Sequence, residues 1–339
     1  MSLVIREKVS LKQYTTLKVG GVADYLAIVT SEEELTSARQ FAQHTGVPML
    51  VMGGGSNILV SDDGYRGLVL VIAFKGREYK DISNTLCQVR LGAGEIFDDV
   101  VVETTERGLW GLENLSSIPG TVGATPVQNV GAYGIEVSSL IISLEAVHSE
   151  TGEKKIFTND ECHFSYRDSF FKTVKGKSWI IIFVSVQLSK IPTPILDYSD
   201  LAFLRSVKTL TPAVIRGAVQ VIRAEKFPDW TKVGTAGSFF KNSLITQTHY
   251  DELLLKYPDL PGYIQDDSQV KISLGWILDK ICHLKGYCEN NVCLFEKQAL
   301  VLIANNGATA TDIKNFVLQV QEKVFLKTNI HIEPEVLFI

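Results

Sequence analysis

The stretch "VMGGGSNILV", residues 51–60, decides how the chain is to be read. Apolar residues on both sides look like two buried strands, with three consecutive glycines between them. Backbone N–H groups in such a turn can form a nest for an anion such as phosphate. A tight turn between two buried strands explains the same residues. No Gly-Lys-Ser/Thr follows, so this is not a P-loop. No GxGxxG opens a helix, so it is not the dinucleotide fingerprint of the doubly wound fold.

Working outward, "SEEELTSARQFAQHTG" (31–46) reads as a capped helix, with Ser31 as N-cap, acids in the first turn and Gly46 as the stop. "VPMLVM" (47–52) is a strand, and "ILVSDDGYRGLVLVI" (58–72) is strand, turn, strand. Residues 80–190 read as α+β. "LCQVRLGAG" is a strand, "EIFDDVVVETTERGL" a helix, "ISLEAVHSETGEKKIF" a hairpin turning near Thr151–Gly152, and "WIIIFVSVQLS" a strand. "KIPTPILDYSDL" (190–201) is a connector or a protruding loop. "TPAVIRGAVQVIRAEKF" (211–227) is helical, with Pro212 suited to a first turn, and "TATDIKNFVLQVQEKVFLKTN" is an amphipathic helix. "IHIEPEVLFI" at the end alternates like a strand, which puts Glu333 and Glu335 on one face, and Pro334 argues for an edge or strand end.

Size and composition bound the function. A chain of 339 residues suggests two or three domains. A net charge of −5, with no Lys/Arg block, leaves no electrostatic footprint for nucleic acid. The longest apolar runs, 179–188 and 299–305, have strand length and are too short to span a membrane, and the first residues lack the apolar core of a secretory signal. The five cysteines are an odd, scattered set, which reads as a reducing cytoplasm. Cys288 and Cys293, near His283, lack a second Cys pair, and the histidines form no metalloprotease or triad spacing, so no metal is expected.

A second glycine cluster, "IPGTVGATPVQNVGAYG" (118–134), lies roughly seventy residues after the first. A structureless loop this long inside a domain is usually functional, and glycines let backbone approach a ligand closely. Two such segments suggest a cofactor held between two lobes, although the second could also be a long loop packed on itself. "HFSYRDSFFK" (163–172) carries Arg167, whose planar fork can grip a carboxylate, though taken alone an Arg167–Asp168 surface pair explains it better. "TAGSFFKNS" (235–243) places Ser238 before two phenylalanines that can bury and anchor the segment, leaving Lys241 and Asn242 to face a ligand or its phosphates.

Taken in order, "GGGSN", "GLWGLENLSSIPGTVGATPVQNVGAYG", "SYRDSFFK", "GSFFKN" and "EPEV" resemble the UDP-N-acetylenolpyruvoylglucosamine reductases, flavoproteins of peptidoglycan precursor synthesis, over residues 53–336. "LDYSDL", with Tyr198, resembles the tyrosine loop of the type I subclass. The resemblance implies an α+β fold: a two-lobed FAD-binding domain of the vanillyl-alcohol-oxidase (PCMH) type plus a smaller α+β substrate-binding domain. Residues 1–74 with 332–339 would form one lobe, 75–220 the other, and 221–331 the UDP-sugar domain. It implies reduction of UDP-N-acetylglucosamine enolpyruvate to UDP-N-acetylmuramate, with FAD as cofactor and NADPH as hydride donor, serving cell-wall biogenesis, cell shape and division.

The resemblance makes Arg167, Ser238 and Glu335 catalytic: a cation for the substrate carboxylate, a proton donor, and an acid that is protonated or hydrogen-bonded through Ser238 or water. For FAD it selects Gly53, Gly54, Gly55, Ser56 and Asn57 from the first cluster. From the second it selects Ser117, Ile118, Pro119, Gly120, Gly123 and Ala124, then Gln128, Asn129, Gly131, Ala132, Tyr133 and Gly134. Tyr166, Tyr198, Lys226, Asn242, Lys285 and Gln298 resemble UDP-sugar contacts, the two lysines neutralising the pyrophosphate. The chain is expected to act on small molecules as a cytoplasmic monomer, with no nucleic-acid or membrane partner. Members of the family often continue some residues further, so a final strand or hairpin is expected to be missing. Two other readings fit the residues less well. One is a different oxidoreductase of the same FAD fold; the other is a nucleotide-sugar-binding module without chemistry.

Overall fold

The computed structural model describes residues 3–266 and 268–339. Its contacts divide the chain into two compact units. The first comprises the chain up to Val9, Ala23–Gly55 and Arg66–Arg223; the second comprises Ser10–Val22, Ser56–Tyr65 and Ala224–Ile339. The first glycine cluster is therefore divided, with Gly55 ending a segment of the first unit and Ser56 beginning one of the second.

The first unit holds two sheets. A four-stranded sheet has the order Ile5–Ser10, Val22–Val29, Tyr65–Ile72, Met49–Met52. Its last two strands are parallel, with Met49 opposite Leu68. Helix Glu32–Thr45 precedes Met49–Met52, and its ends are chemically fixed. Ser31 Oγ accepts from the Glu34 N–H at 3.3 Å, and Gly46 takes a left-handed φ of 69° to close the last turn. Leu35, Ala38 and Ala42 recur on one face and are buried.

A five-stranded sheet runs Lys154–Thr158, Ile141–His148, Trp179–Ser189, Leu86–Gly92, Arg77–Asp81, antiparallel throughout. The hairpin expected around Thr151–Gly152 is its first pair, with Gly152 at φ 78°. Leucines and valines of both sheets and of helix Phe97–Glu106 share one core, and each fully buried Leu or Val stabilises it by about 1.5–3 kcal/mol. A smaller cluster of Trp110, Tyr133, Leu201, Leu204, Ile215 and Val219 packs helix Pro212–Lys226 and the 3₁₀ turns Ser199–Ser206 against the second glycine loop. The Pro-punctuated connector is thus partly helical and docked.

The second unit is built on the antiparallel sheet Gly234–Ser238, Val301–Ala304, Val292–Leu294, Cys288–Glu289. A three-stranded sheet, Leu244–Thr246, Gln269–Ile272, Gly262–Asp266, and helix Ala310–Thr328 complete it. That helix begins with a capping box: Thr309 Oγ accepts from Asp312 N–H, and the Asp312 carboxylate accepts from Thr309 N–H. Asp62 adds a second cap, accepting from the N–H groups of Ala310 and Thr311, both at 2.8 Å.

Two sequence expectations change here. "IHIEPEVLFI" is not one strand. Only Leu337–Phe338 pairs, parallel to Ile58–Leu59, and the run before it is interrupted at Pro334, which makes an isolated bridge to Phe240. Glu333 and Glu335 therefore do not share the face of a regular strand. The cysteines are not all reduced either. Cys288 and Cys293 are disulfide-bonded, because Asn290 and Asn291 both take left-handed φ and turn the chain tightly enough to place the two residues opposite each other. Cys87, Cys162 and Cys282 are free thiols. No helix among the described residues is long and apolar enough to cross a membrane.

Candidate active site

In the first unit the two glycine clusters meet. A Cβ on Gly53 would lie 2.2 Å from Thr121 Oγ, and one on Gly54 would lie 3.0 Å from Gly120 Cα, so these two backbones touch only because both side chains are hydrogen. A Cβ on Gly123 would likewise lie 2.5 Å from Ala93 Cβ. Thr121 Oγ is buried and has no hydrogen-bond partner among the described residues. A buried hydroxyl is rarely left so, and here it sits at the seam of two glycine loops. The cradle suits a phosphate- and hydroxyl-rich cofactor such as FAD, for which Thr121 would be a ready donor. Thr121 was missed in the sequence, where it is an ordinary polar residue beside conspicuous glycines.

The loop that carries the cradle is shaped by neighbours distant in sequence. Asp98, in the first turn of helix Phe97–Glu106, accepts from Ser117 N–H at 2.5 Å. It is held in turn by Arg216 through a two-pronged contact at 2.7 and 3.1 Å. Ser117 itself is left-handed, with φ 59°. Glu113 is 2% exposed, and its carboxylate takes Gly111 N–H at 2.5 Å; burial pushes its pKa up, against that hydrogen bond. Asn114 donates to the carbonyls of Tyr133 and Ile195 at 2.8 and 2.9 Å, tying the loop to the segment that carries Tyr198. The rings of Tyr133 and Tyr198 then meet edge-on, with centroids 5.3 Å apart.

Arg167 lies on the tip of a tight turn in the same unit. Ser165 and Asp168 exchange both backbone hydrogen bonds at 3.1 Å, and Tyr166 and Arg167 form the loop between them. Arg167 has a left-handed φ of 56° and donates from Nη2 to the carbonyl of Gly131 at 3.0 Å. Its side chain is thus turned toward the second glycine loop. The Asp168 carboxylate accepts from its neighbour Ser169 N–H. Asn129, expected to touch the cofactor, uses both Nδ2 hydrogens on protein acceptors, Glu136 Oε2 at 2.7 Å and the Ser165 carbonyl at 3.0 Å. Its side chain has no donor left for a ligand.

The second unit brings Ser238 and Glu335 together. Phe239 and Phe240 are 0% and 1% exposed and anchor the segment, as the sequence suggested. Gly237, at φ 72°, breaks the strand register beside Ser238, and Phe239 N–H recovers pairing with the Leu300 carbonyl at 2.7 Å. Glu335 N–H then donates to the Phe239 carbonyl at 2.7 Å, so two residues almost a hundred positions apart sit on adjoining chains. Asn57 of the first glycine cluster joins them, donating from Nδ2 to the Glu335 carbonyl at 3.1 Å. Ser238 and Glu335 are both half-buried, open enough for a substrate to reach.

Other candidates divide. Lys241 pairs with Glu333 at 2.5 Å. Asn242 accepts Leu274 N–H at 3.0 Å with Oδ1, which leaves its amide nitrogen to meet a ligand. Lys285 follows a single π-helical turn, Ile277–Ile281, and lies 3.6 Å from Asp279. Gln298 accepts Leu300 N–H at 3.3 Å, one residue after which Val301 faces Ser238 across the sheet. Lys226 is half-buried at the end of helix Pro212–Lys226.

Comparison with known proteins agrees with this layout. Residues 23–156 match the family model of an FAD binding domain, and residues 229–339 match that of the UDP-N-acetylenolpyruvoylglucosamine reductase C-terminal domain. The UDP-N-acetylenolpyruvoylglucosamine reductase of Blochmanniella pennsylvanica is 40% identical over 96% of this chain and 93% of its own length. That of Pseudomonas aeruginosa is 39% identical over 99% of both chains. A crystal structure of the UDP-N-acetylenolpyruvylglucosamine reductase from Thermus caldophilus superposes with a TM-score of 0.70 at 26% identity, covering 99% of each chain. With an FAD binding domain followed by this C-terminal domain, and relatives about 40% identical over nearly their whole length, the chain belongs to the UDP-N-acetylenolpyruvoylglucosamine reductase family.

Proposed function

We propose that the chain reduces UDP-N-acetylglucosamine enolpyruvate to UDP-N-acetylmuramate at the expense of NADPH, with Arg167, Ser238 and Glu335 converging on the substrate. Bound FAD supplies the hydride, taken from NADPH, that the vinyl carbon receives. The protein's task begins once that hydride has arrived. Negative charge builds on the inner carbon and spreads into a carboxylate that is already anionic. Arg167, permanently charged and fixed by Gly131, stabilises that charge, an effect whose loss costs about 10²–10³ in rate. Ser238 Oγ delivers the proton to the inner carbon. A serine hydroxyl is a weak acid, but the carbon it protonates is a strong base, so placement matters more than a matched pKa. Glu335, whose N–H is bound to the carbonyl of Phe239 next to Ser238, holds a hydrogen bond to that hydroxyl directly or through water and restores its proton.

Tyr166, Tyr198, Asn242 and Gln298 orient the UDP-sugar, and Lys226 and Lys285 meet its pyrophosphate. Residues 1–74 with 332–339, and 75–220, hold FAD; 221–331 bind the nucleotide sugar. NADPH and substrate bind in turn, in ping-pong order, and the enzyme works as a cytoplasmic monomer.

The observation that supports this reading most is the clip between "GSFFKN" and "EPEV", in which Glu335 N–H donates to the carbonyl of Phe239, the residue after Ser238, with Ser238 and Glu335 both half-buried. The test is anaerobic. NADPH should bleach the bound flavin, and the enolpyruvyl substrate should restore its spectrum. Ser238→Ala should accept hydride from NADPH at the normal rate and stall when substrate is added. Equal loss of both half-reactions would remove Ser238 from the proton-donor role, and no restoration in the unaltered protein would refute the substrate.

A further inference from the structure

The turn bearing Arg167 is stitched to the second glycine loop by three hydrogen bonds in a regular alternation. Ser169 Oγ donates to the Val127 carbonyl at 2.6 Å, Asn129 Nδ2 to the Ser165 carbonyl at 3.0 Å, and Arg167 Nη2 to the Gly131 carbonyl at 3.0 Å. Residues 127, 129 and 131 of the loop thus each hold one residue of the turn. Asn129 is the central stitch. It is 1% exposed and left-handed at φ 46°, a conformation asparagine tolerates. Its Oδ1 accepts Ser138 N–H at 3.1 Å, and its second Nδ2 hydrogen goes to Glu136 Oε2 at 2.7 Å. Every donor of this amide is therefore committed, and the only one that leaves its own loop and hairpin goes to the Arg167 turn.

We propose that Asn129 is a positioning residue for Arg167: it transmits the placement of the flavin-binding loop to the guanidinium that meets the substrate carboxylate. Ser169 is its accessory, at the far end of the same turn. The inference rests on Arg167 having that role. The turn needs such support, because its two-residue loop carries a bulky side chain in a left-handed conformation. An arginine on an unsupported tip would sample several placements, and an error of about 1 Å at a reacting group can cost about 10²-fold in rate.

Asn129→Asp keeps shape and the Ser138 bond but faces two acceptors with a carboxylate. Asn129→Asp combined with Glu136→Gln restores the link to position 136, now donated from the glutamine, and removes only the side-chain bond to the Ser165 carbonyl, which keeps its bond from Asp168 N–H. We expect this double variant to regain the thermal stability that the single one loses. It should still restore oxidised flavin with substrate about 10- to 100-fold slower, while NADPH bleaches it within about twofold of normal. In the apoprotein, amide exchange at Ser165 and Asp168 should quicken. Ser169→Ala, which leaves Asn129 intact, should slow the same half-reaction and no other.

Arg167→Lys separates the two possible failures. If it leaves the substrate half-reaction untouched, the role of Arg167 falls, and with it the reason for the stitch. If it slows that half-reaction while the double variant and Ser169→Ala do not, and exchange is unchanged, Asn129 is framework alone and the proposal is overturned.

Discussion

Gly53→Ala tests the close approach on which the cofactor cradle depends. The new Cβ would meet Thr121 Oγ at 2.2 Å, while the next atoms, Thr121 Cβ and Ala124 Cβ, stand at an ordinary 3.5 and 3.6 Å. One atom is in the way. Thr121 cannot withdraw by its backbone, because Phe97 N–H holds the Gly120 carbonyl at 3.1 Å, Val122 N–H holds the Glu95 carbonyl at 2.9 Å, and Ala124 N–H holds the Thr121 carbonyl at 3.0 Å. Its side chain must rotate into packed surroundings, an overpacking cost of about 1–3 kcal/mol. Gly53 does not need a left-handed φ, so alanine carries no backbone strain. Removing Thr121 Oγ with Thr121→Ala should therefore abolish the penalty and let Gly53→Ala become neutral, or stabilising by about 0.4–1 kcal/mol through the unfolded chain. The coupling between the two sites, read from urea unfolding of the four apoproteins, should be about 1–3 kcal/mol. Thr121→Ala alone should cost little stability, because its hydroxyl bonds no protein group, yet it should weaken FAD binding to the apoprotein. The reasoning is refuted if Gly53→Ala costs the same in both backgrounds.

The remaining predictions concern the second unit. Asp62 accepts three hydrogen bonds from Ala310 and Thr311; these, with a lesser pull from Lys12, outweigh the opposing effect of burial and hold its carboxyl below the usual value of 3.8. A depressed folded pKa gives stability that is present above the unfolded value and lost as pH falls through the folded one. Asp62→Asn should thus destabilise by about 0.5–2 kcal/mol at neutral pH, with the deficit shrinking as pH falls below about 4, as followed by thermal melts of both proteins. A deficit independent of pH would assign the effect to shape rather than charge. Gly237→Val should slow the substrate half-reaction and lower stability by about 1–2 kcal/mol, since its φ of 72° is hostile to a branched side chain; Gly237→Asn should be milder in both, and equal effects would show that the left-handed turn does not present Ser238.

How much the sequence reveals depends on the range of the interactions. Helix 31–46 was legible because its cap, stop and apolar face all lie within a few residues of one another. The burial of Phe239 and Phe240 was legible from hydrophobicity alone. "EPEV" looked like strand because alternation says nothing about whether a partner exists, and the partner found by Pro334 is a single residue, Phe240. The pair of Lys241 with Glu333 was not legible because its members lie about ninety positions apart. Asp62 capping a helix at 310, and Asp98 serving Ser117 and Arg216, are set by topology that no local pattern encodes. Cys288 and Cys293 could have been paired in advance: "CENNVC" places two asparagines, the residues that best tolerate left-handed φ, midway between them.

Left-handed backbone recurs around the second glycine loop. Ser117, Asn129, Tyr133 and Arg167 are all left-handed without being glycine, and all belong to the second glycine loop or to the turn stitched to it. Each such residue costs on the order of 1–2 kcal/mol, less for asparagine. An isolated loop would relax to ordinary φ values. It is prevented from doing so by Asp98 on Ser117, by Asn114 on Tyr133, and by Asn129 and Gly131 on the Arg167 turn. A net hydrogen bond is worth about 0.5–1.5 kcal/mol, somewhat more to a charged acceptor, so the restraints and the strain are of equal size. The loop is therefore balanced rather than rigid by its own means, and the core beneath it supplies the margin. A cofactor that bonds this loop and no unfolded form of it would shift the balance further, so occupancy of the flavin site and placement of Arg167 should rise together.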